Sequence, residues 1–330
     1  MIELSIALIS YNSEDYIKEA LNSILKQKCS FNFEVVIGDD CSTDKTYNII
    51  KSYQIKHPQI FKIKQNKKQQ GILKNFKLTL ERCTGKYIFN FDGDDIIKSE
   101  LAFKKILDVF KKNPDLGFVD AGYDMYFEAY NKTKKYVNKQ SIRISKEEYR
   151  NFVYLGKIIP IGTCFNREKL FKHVDFNTHI KNNVTIEDYP TLVDVVANCD
   201  FGRVDESLFT YRIHRRSYSF NNEFKKNFFQ RQQMLSLFNH FKTKYNFNNN
   251  LSYSYEQSHY KSMLHLAGSY NKGNLGIDMF KKIESKNIYD FINYLASQYK
   301  FVRNLAKIRK FKKTVWYKTQ SLFLKQENSF

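Results

Sequence analysis

The chain has no CxxC pair, and its five cysteines are odd in number and scattered. That argues against a zinc ribbon or a disulfide framework and fits a reducing compartment. Only 4 Pro and 12 Gly occur in 330 residues, which excludes collagen-like and low-complexity architectures. No run approaches the roughly 18 apolar residues of a spanning helix. The opening MIELSIALIS has no basic n-region and too short an apolar stretch for a signal peptide. The expectation is therefore a soluble cytoplasmic protein, with peripheral contact at the inner face of the plasma membrane still open. GxGxxG, HExxH and GxSxG are absent, and Gly85-Lys86 lacks a P-loop's upstream glycine because position 80 is Leu.

What is present is a chain that is 42% hydrophobic and 16% aromatic, long enough to bury a large core without staples. Its net charge is +20, which favours polyanionic partners: nucleic acid, anionic lipid or phosphorylated small molecules. The excess is uneven, with 19 Lys/Arg against 6 Asp/Glu from Asn221 onward.

Hydrophobic patterning alternates strand and helix over the first hundred residues. Strands are expected at Leu4 to Ile9, Phe33 to Ile37, Phe61 to Lys64 and Lys86 to Phe91. Helices are expected from Ser13 as N-cap, from Asp44 to Lys56, Ile72 to Cys83 and Ser99 to Lys112. Such alternation implies a mostly parallel sheet flanked by helices, with ligands bound beyond the strands' carboxyl ends. The alternation then breaks. Strands are expected at Gly117 to Tyr126, Tyr136 to Ile144, Ile158 to Phe165, Phe201 to Val204 and Leu208 to Ile213, with a polar turn at Asn131 to Lys135 and a helix through Asn198. Beyond Asn221 the pattern is helical. The division expected is 1–220, comprising a nucleotide-binding part to about 115 and an acceptor part after it, then a basic helical region over 221–330.

Polar clusters follow the strands. Asp92-Gly93-Asp94-Asp95 packs three carboxylates into four residues, which repel unless a cation or hydrogen-bond donors compensate. Hard oxygen ligands suit Mg²⁺ or Mn²⁺. An EF-hand fails because the twelfth position is Phe103; a solvated acidic turn is the competing reading. Asp39-Asp40 ends a second strand, where a carboxylate can meet a base N–H or a ribose hydroxyl, or Ser42 and Thr43 can simply cap the next helix. Glu187-Asp188 opens a helix, with Asp188 either an N-cap ahead of Pro190 or a general base. Tyr211 to Ser217 places His214 among Arg212, Arg215 and Arg216, a set able to meet metal or phosphate.

The stretches SIALISYNSEDYIKEALNSILKQ, FEVVIGDDCSTDKT, GILKNF, CTGKYIFNFDGDD, IEDYPTL and YRIHRRSYS together resemble glycosyltransferase family 2, bacterial inverting enzymes of the GT-A fold. The resemblance covers about residues 4 to 219. It implies a metal-dependent transfer of sugar from a nucleotide-sugar donor, usually a UDP-sugar, to a hydroxyl of a glycan or lipid-linked acceptor in surface polysaccharide or lipooligosaccharide synthesis. Position by position, it places Ser10, Tyr11, Asn12, Asp40, Lys74, Asn75, Asp92, Gly93 and Arg212 around the nucleotide, with Tyr11 near the base and Asp40 reading it. Asp94, with Asp92 and His214, would hold Mn²⁺ or Mg²⁺. Asp188 would be the base, with Glu187 beside it. Cys41 stands where the family commonly has glycine, and the QxxRW signature of processive members is absent, so a polymerising synthase is not expected.

Two rival readings remain open. A sugar-nucleotide-forming nucleotidyltransferase also uses metal on an α/β sheet, but its glycine-rich basic N-terminal loop is missing. A nucleic-acid binder would use the +20 charge, but the excess sits in the tail, so no nucleic-acid partner is expected. From Lys300 to Lys325 nine Lys/Arg and no acid interleave with apolar residues, a composition suited to an anionic membrane surface or to packing on the main domain.

Overall fold

The structure is a computed structural model that describes residues 2–158, 161–216 and 223–305. The chain divides into two compact units, Met1–Arg215 and Arg216–Phe330.

The first unit is built on a nine-stranded mixed sheet. Strands β1 (Leu4–Ser10), β2 (Phe33–Asp39), β3 (Phe61–Gln65) and β4 (Tyr87–Asp92) alternate with helices α1 (Ile17–Leu25), α2 (Thr46–Lys56) and α3 (Ile72–Leu80). They pair in parallel in the order β3-β2-β1-β4. β1 is buried along its whole length, which is why its sequence is a continuous apolar run. The chain moves outward from β1 through β2 to β3 and then returns to β1's other side as β4. The crevice between the carboxyl ends of β1 and β4 is therefore the topological switch point, where α/β sheets bind ligands.

Beyond β4 the sheet is mixed. β5 (Ile96–Ile97) and α4 (Ala102–Lys112) lead to the ten-residue β6 (Phe118–Phe127), a 3-10 turn at Glu128–Tyr130, and β7 (Lys132–Lys134). Helices α5 (Lys139–Arg143) and α6 (Lys146–Tyr154), strand β8 (Cys164–Asn166), helices α7 (Arg167–His173), α8 (Phe176–Lys181) and α9 (Asp188–Asn198), and strand β9 (Phe201–Ile213) complete the unit. β8 runs antiparallel between β4 and β6, while β9 runs parallel to β6 and antiparallel to β5.

Several expectations need correction. The strand expected at Tyr136 to Ile144 is largely helix α5. Asn138 supplies the reason: its Oδ1 accepts from Tyr123 N–H (3.0 Å) and its Nδ2 donates to Ala121 C=O (3.2 Å). One side chain thus satisfies the edge of β6 that a strand would have covered. The polar turn expected at Asn131 to Lys135 contains β7, paired with β6. The two strands expected at 201–213 are one strand, paired with β6 throughout although the register shifts on both sides of Gly122. The strand expected from Ile158 is only three residues long, and residues 159–160 lie outside those described. Ser13 does not cap α1 with its side chain; its carbonyl accepts from Tyr16 and Ile17 N–H, both at 2.9 Å.

Asp120 on β6 is fully buried, accepting from Tyr149 O–H (2.7 Å) and Ala121 N–H (2.7 Å). Burial pushes its carboxyl up to about 7. The folded chain therefore holds a proton there that the unfolded chain has lost above the ordinary carboxylate range. Asp120 adds stability as pH falls from about 7 towards that range, and this contribution fades as pH rises through 7. Asp120→Asn removes the charge; its single amide oxygen can still accept from Ala121 N–H, and its Nδ2 faces Tyr149 Oη as a donor. The melting-temperature difference between variant and parent should move in the variant's favour between pH 5 and pH 8, as read by thermal melts at each pH. A difference that stays flat across that range contradicts the assignment.

The second unit contains α10 (Phe224–Lys244), α11 (Asn249–Tyr270), α12 (Gly273–Lys282) and α13 (Ile288–Gln298). No helix among the described residues is long and apolar enough to cross a membrane.

Candidate functional site

Register explains why distant motifs meet. Ser10 at the end of β1 sits beside Asp39, and Ile9 beside Asp92. With strands about 4.8 Å apart, the two acidic strand ends flank β1 at a separation of about 10 Å. Gly93 lets the chain turn closely over β1: its N–H donates to Ile9 C=O (3.2 Å), and an added Cβ would lie 3.0 Å from Ile17 Cδ1.

On the β4 side, one ligand atom from each of Asp92, Asp94 and Asp95 can be chosen so that all lie within 4.8 Å of one another. Asp92 and Asp94 are partly exposed, whereas Asp95 is 2% exposed. Burial, then the charges of Asp94 and Asp188, push the Asp92 carboxyl up to about 7. Burial and the Asp94 and Asp92 charges raise Asp95 well above the carboxylate range. These are the marks of an acidic cluster short of positive charge, and oxygen donors so arranged fit a hard divalent cation.

β9 delivers the cationic complement. His214 Nε2 lies 2.9 Å from Asp94 Oδ2, and its ring packs on Tyr16 with centroids 4.2 Å apart. Arg212 N–H donates to Asp95 Oδ1 (2.9 Å), its Nε donates to Asp94 C=O (2.9 Å), and its Nη2 pairs with Glu19. Arg212 is 7% exposed and spends these donors on holding the loop. Here it positions the acidic loop.

Glu187 and Asp188 stand at the start of α9, with Glu187 buried and Asp188 partly exposed. Tyr189 N–H donates to Asp188 Oδ1 (2.6 Å). Burial raises both carboxyls, and for Glu187 the charges of Asp188 and Asp92 raise it further. The two acidic pairs share a pattern: Asp94 and Asp188 reach solvent, while Asp95 and Glu187 sit buried beside them. Beside α9 a small cavity of about 20 Å³ is lined by Asn90, Thr163, Glu187, Asp188 and Thr191 among others. Sequence reasoning missed Asn90, Thr191 and Asp95's bond to Arg212. Asn90 had a signal, since it lies two residues before Asp92 and so on the same face of β4. Thr191 and the Tyr16–His214 contact had none.

The β2 side differs. Asp40 is 4% exposed and accepts from Asn66 Nδ2 (2.9 Å), Gln70 N–H (2.8 Å) and Gly71 N–H (2.9 Å). A carboxylate offers about four acceptor positions, so about one remains. Asn75 is buried, donating to Gly38 C=O (2.8 Å) and accepting from Asn66 (2.9 Å), so it braces α3 against β2, while Lys74 is exposed. Ser10 Oγ donates to Asp39 Oδ2 (3.3 Å), and Asn12 Oδ1 accepts from Thr43 N–H (2.9 Å). Tyr11 is 45% exposed at the rim.

Between these groups sits Cys41, with φ +66°. That left-handed conformation suits glycine and costs a side-chain-bearing residue about 1 kcal/mol or more. Cys41→Gly should therefore stabilise the chain by about 1 kcal/mol, offset partly by the greater freedom of glycine when unfolded. A lower denaturation midpoint in the variant contradicts this.

Comparison with known proteins supplies the family. The profile of glycosyl transferase family 2 matches residues 5–174. This chain belongs to that family. A stretch of 102 residues is 37% identical to the poly(ribitol-phosphate) beta-N-acetylglucosaminyltransferase TarS of Staphylococcus aureus, covering 30% of this chain and 18% of that protein. Over 219 residues it is 26% identical to the minor teichoic acid biosynthesis protein GgaB of Bacillus subtilis, covering 64% and 23%. The matched stretches thus span about a fifth of these curated relatives' length. Residues 1–349 of TarS in complex with UDP-GlcNAc superpose with a TM-score of 0.51 at 17% identity, covering 99% of this chain and 92% of that one. The mannosyltransferase PcManGT of Pyrobaculum calidifontis, in complex with GDP-Man and Mn²⁺, gives 0.52 at 12% identity, covering 98% and 84%. At such identities the likeness establishes the GT-A fold alone. Family 2 membership accounts for the mixed sheet, parallel where the sequence alternates and antiparallel around β8.

Proposed function

We propose that this family 2 chain is a metal-dependent inverting glycosyltransferase that moves a sugar from a UDP-sugar to a hydroxyl of a glycan or lipid-linked acceptor in bacterial surface-polymer synthesis. The observation that carries the reading is the convergence of Asp92, Asp94 and Asp95 with His214, and with Asp188, whose charge acts on Asp92. The complexes of TarS with UDP-GlcNAc and of PcManGT with GDP-Man and Mn²⁺ support a nucleotide-sugar donor.

Asp94, Asp92 and His214 are the residues that would hold Mn²⁺ or Mg²⁺, which when bound supplies positive charge against a diphosphate. Tyr11 offers its exposed ring to the base, and the remaining acceptor position on Asp40 suits an imide N–H such as that of uracil. The acceptor hydroxyl is a weak nucleophile at neutral pH. Asp188 takes its proton as the oxygen bonds to the anomeric carbon, and the bond from that carbon to the diphosphate breaks with its electron pair leaving on the diphosphate. One carboxylate base and one displacement invert the anomeric centre. Burial at the start of α9 raises the Asp188 carboxyl towards the working pH.

A thermal-shift screen of UDP, GDP, CDP and ADP, each with and without Mn²⁺, tests the donor class. UDP with Mn²⁺ is expected to give the largest rise in melting temperature, since a ligand of the folded state stabilises by mass action. No nucleotide-dependent shift, or one indifferent to metal, counts against the reading.

A further inference from the structure

Outside the crevice, exposed apolar side chains gather in one place. Fourteen large hydrophobic side chains are exposed among the described residues, and seven of them fall between Ile288 and Leu305. Ile288 (67% exposed), Phe291 (46%) and Leu295 (40%) follow the i, i+3, i+7 spacing of one stripe on α13, and Tyr289 (72%) flanks them. Tyr299, Phe301 and Leu305 continue the exposed series beyond the helix.

The exposure does not come from a loosely held helix. The opposite face of α13 carries Asp290, Ala296 and Ser297, all buried. That face is seated through glycines: a Cβ on Gly268 of α11 would lie 2.6 Å from Asn293 C=O, and one on Gly276 of α12 would lie 2.0 Å from Ser297 Oγ. α13 packs by these small and polar residues and by Tyr294 and an edge of Phe291 on Phe280 of α12 (ring centroids 4.5 and 5.1 Å apart), while Ile288, Tyr289 and Leu295 stay exposed. Such a face is costly in water unless something covers it.

Charge identifies the cover. Asp290, the sole acid from Ile288 to Lys325, is buried and faces Lys261 Nζ at 3.6 Å. Around this face, the described residues Lys281, Lys282, Lys286, Lys300 and Arg303 outnumber the exposed acids Asp278 and Glu284. Two copies meeting through such faces would bring like charges together, which disfavours self-association. Apolar and aromatic side chains rimmed by cations fit the headgroup and upper acyl region of an anionic bilayer. We propose that the α13 face, from Ile288 to Leu305, is a docking surface for an anionic phospholipid membrane. Residues 306–330 lie outside those described, so the membrane contact expected there from composition rests on sequence alone. The α13 face is a separate observation, independent of the catalytic reading.

The test is flotation of the full chain with phosphatidylcholine vesicles with or without phosphatidylglycerol. Binding to the anionic vesicles is expected to exceed binding to the neutral ones by about tenfold or more, and to fall as salt rises from about 0.1 M to about 1 M. Ile288→Asp, at a side chain two-thirds exposed, should lower anionic-vesicle binding several-fold with the melting temperature unchanged. The double variant Phe291→Asp/Leu295→Asp should lower it further. Equal binding to both vesicle types overturns the proposal, as does unchanged binding in Ile288→Asp. So does a concentration-dependent dimer in light scattering that Ile288→Asp dissolves while vesicle binding is absent.

Discussion

Asp188→Asn should lower kcat by about 10²–10⁴-fold while leaving UDP affinity within about twofold. The substitution is nearly isosteric, and the new amide oxygen can still accept from Tyr189 N–H, as Asp188 Oδ1 does at 2.6 Å. The start of α9 should therefore persist, and the loss should report proton transfer. The pH profile adds a second readout. Burial raises the Asp188 carboxyl, so the base form is lost at a higher pH than an exposed aspartate would show. The acid limb of kcat/KM in the parent should lie correspondingly high and should disappear from the residual activity of the variant. Glu187→Gln should leave that limb nearly in place, because burial raises the Asp188 carboxyl and the raised Glu187 carboxyl brings no charge to it. Retention of more than a tenth of the parent kcat in Asp188→Asn would remove this residue from the base role.

Asp94→Asn should produce opposite effects on stability and activity. In metal-free buffer the variant should melt higher than the parent, because Asp94's charge acts unfavourably on both Asp92 and Asp95. The Asn oxygen remains available to His214 Nε2, now 2.9 Å from Asp94 Oδ2. With UDP and Mn²⁺ the ranking should reverse, since the variant has lost one of its metal-facing carboxylates. Activity should fall by about 10³-fold. A variant that is less stable without metal and still shows the full shift with UDP and Mn²⁺ contradicts the placement of the ion. The same trade of stability for function is expected wherever like charges are held together for a ligand.

The sequence made the frame of this site readable because buried parallel strands and the polar residues after them leave distinct local signals. The apolar run before Ser10, the carboxylates after Ile37 and Phe91, and the acidic start of the helix at Asp188 each announce themselves within a few residues. What was unreadable depends on long-range pairing. Nothing in the local pattern says that Asn138 replaces a strand along β6, or that Arg212 spends its donors on the loop at Asp94 and Asp95. Cys41 lies between these cases. Its departure from glycine was visible, and the φ of +66° shows why glycine is the residue that position favours.

The bond from Arg212 to the Asp94 carbonyl spans 118 residues. A ribosome adding about 5–20 residues per second would expose the acidic loop for roughly 6–24 s before its arginine and histidine are made. During that interval the carboxylates of the loop are left to water and to nearby lysines such as Lys98. The loop's folded shape thus waits on the last strand, whose Arg212 fixes it through Asp94 and Asp95.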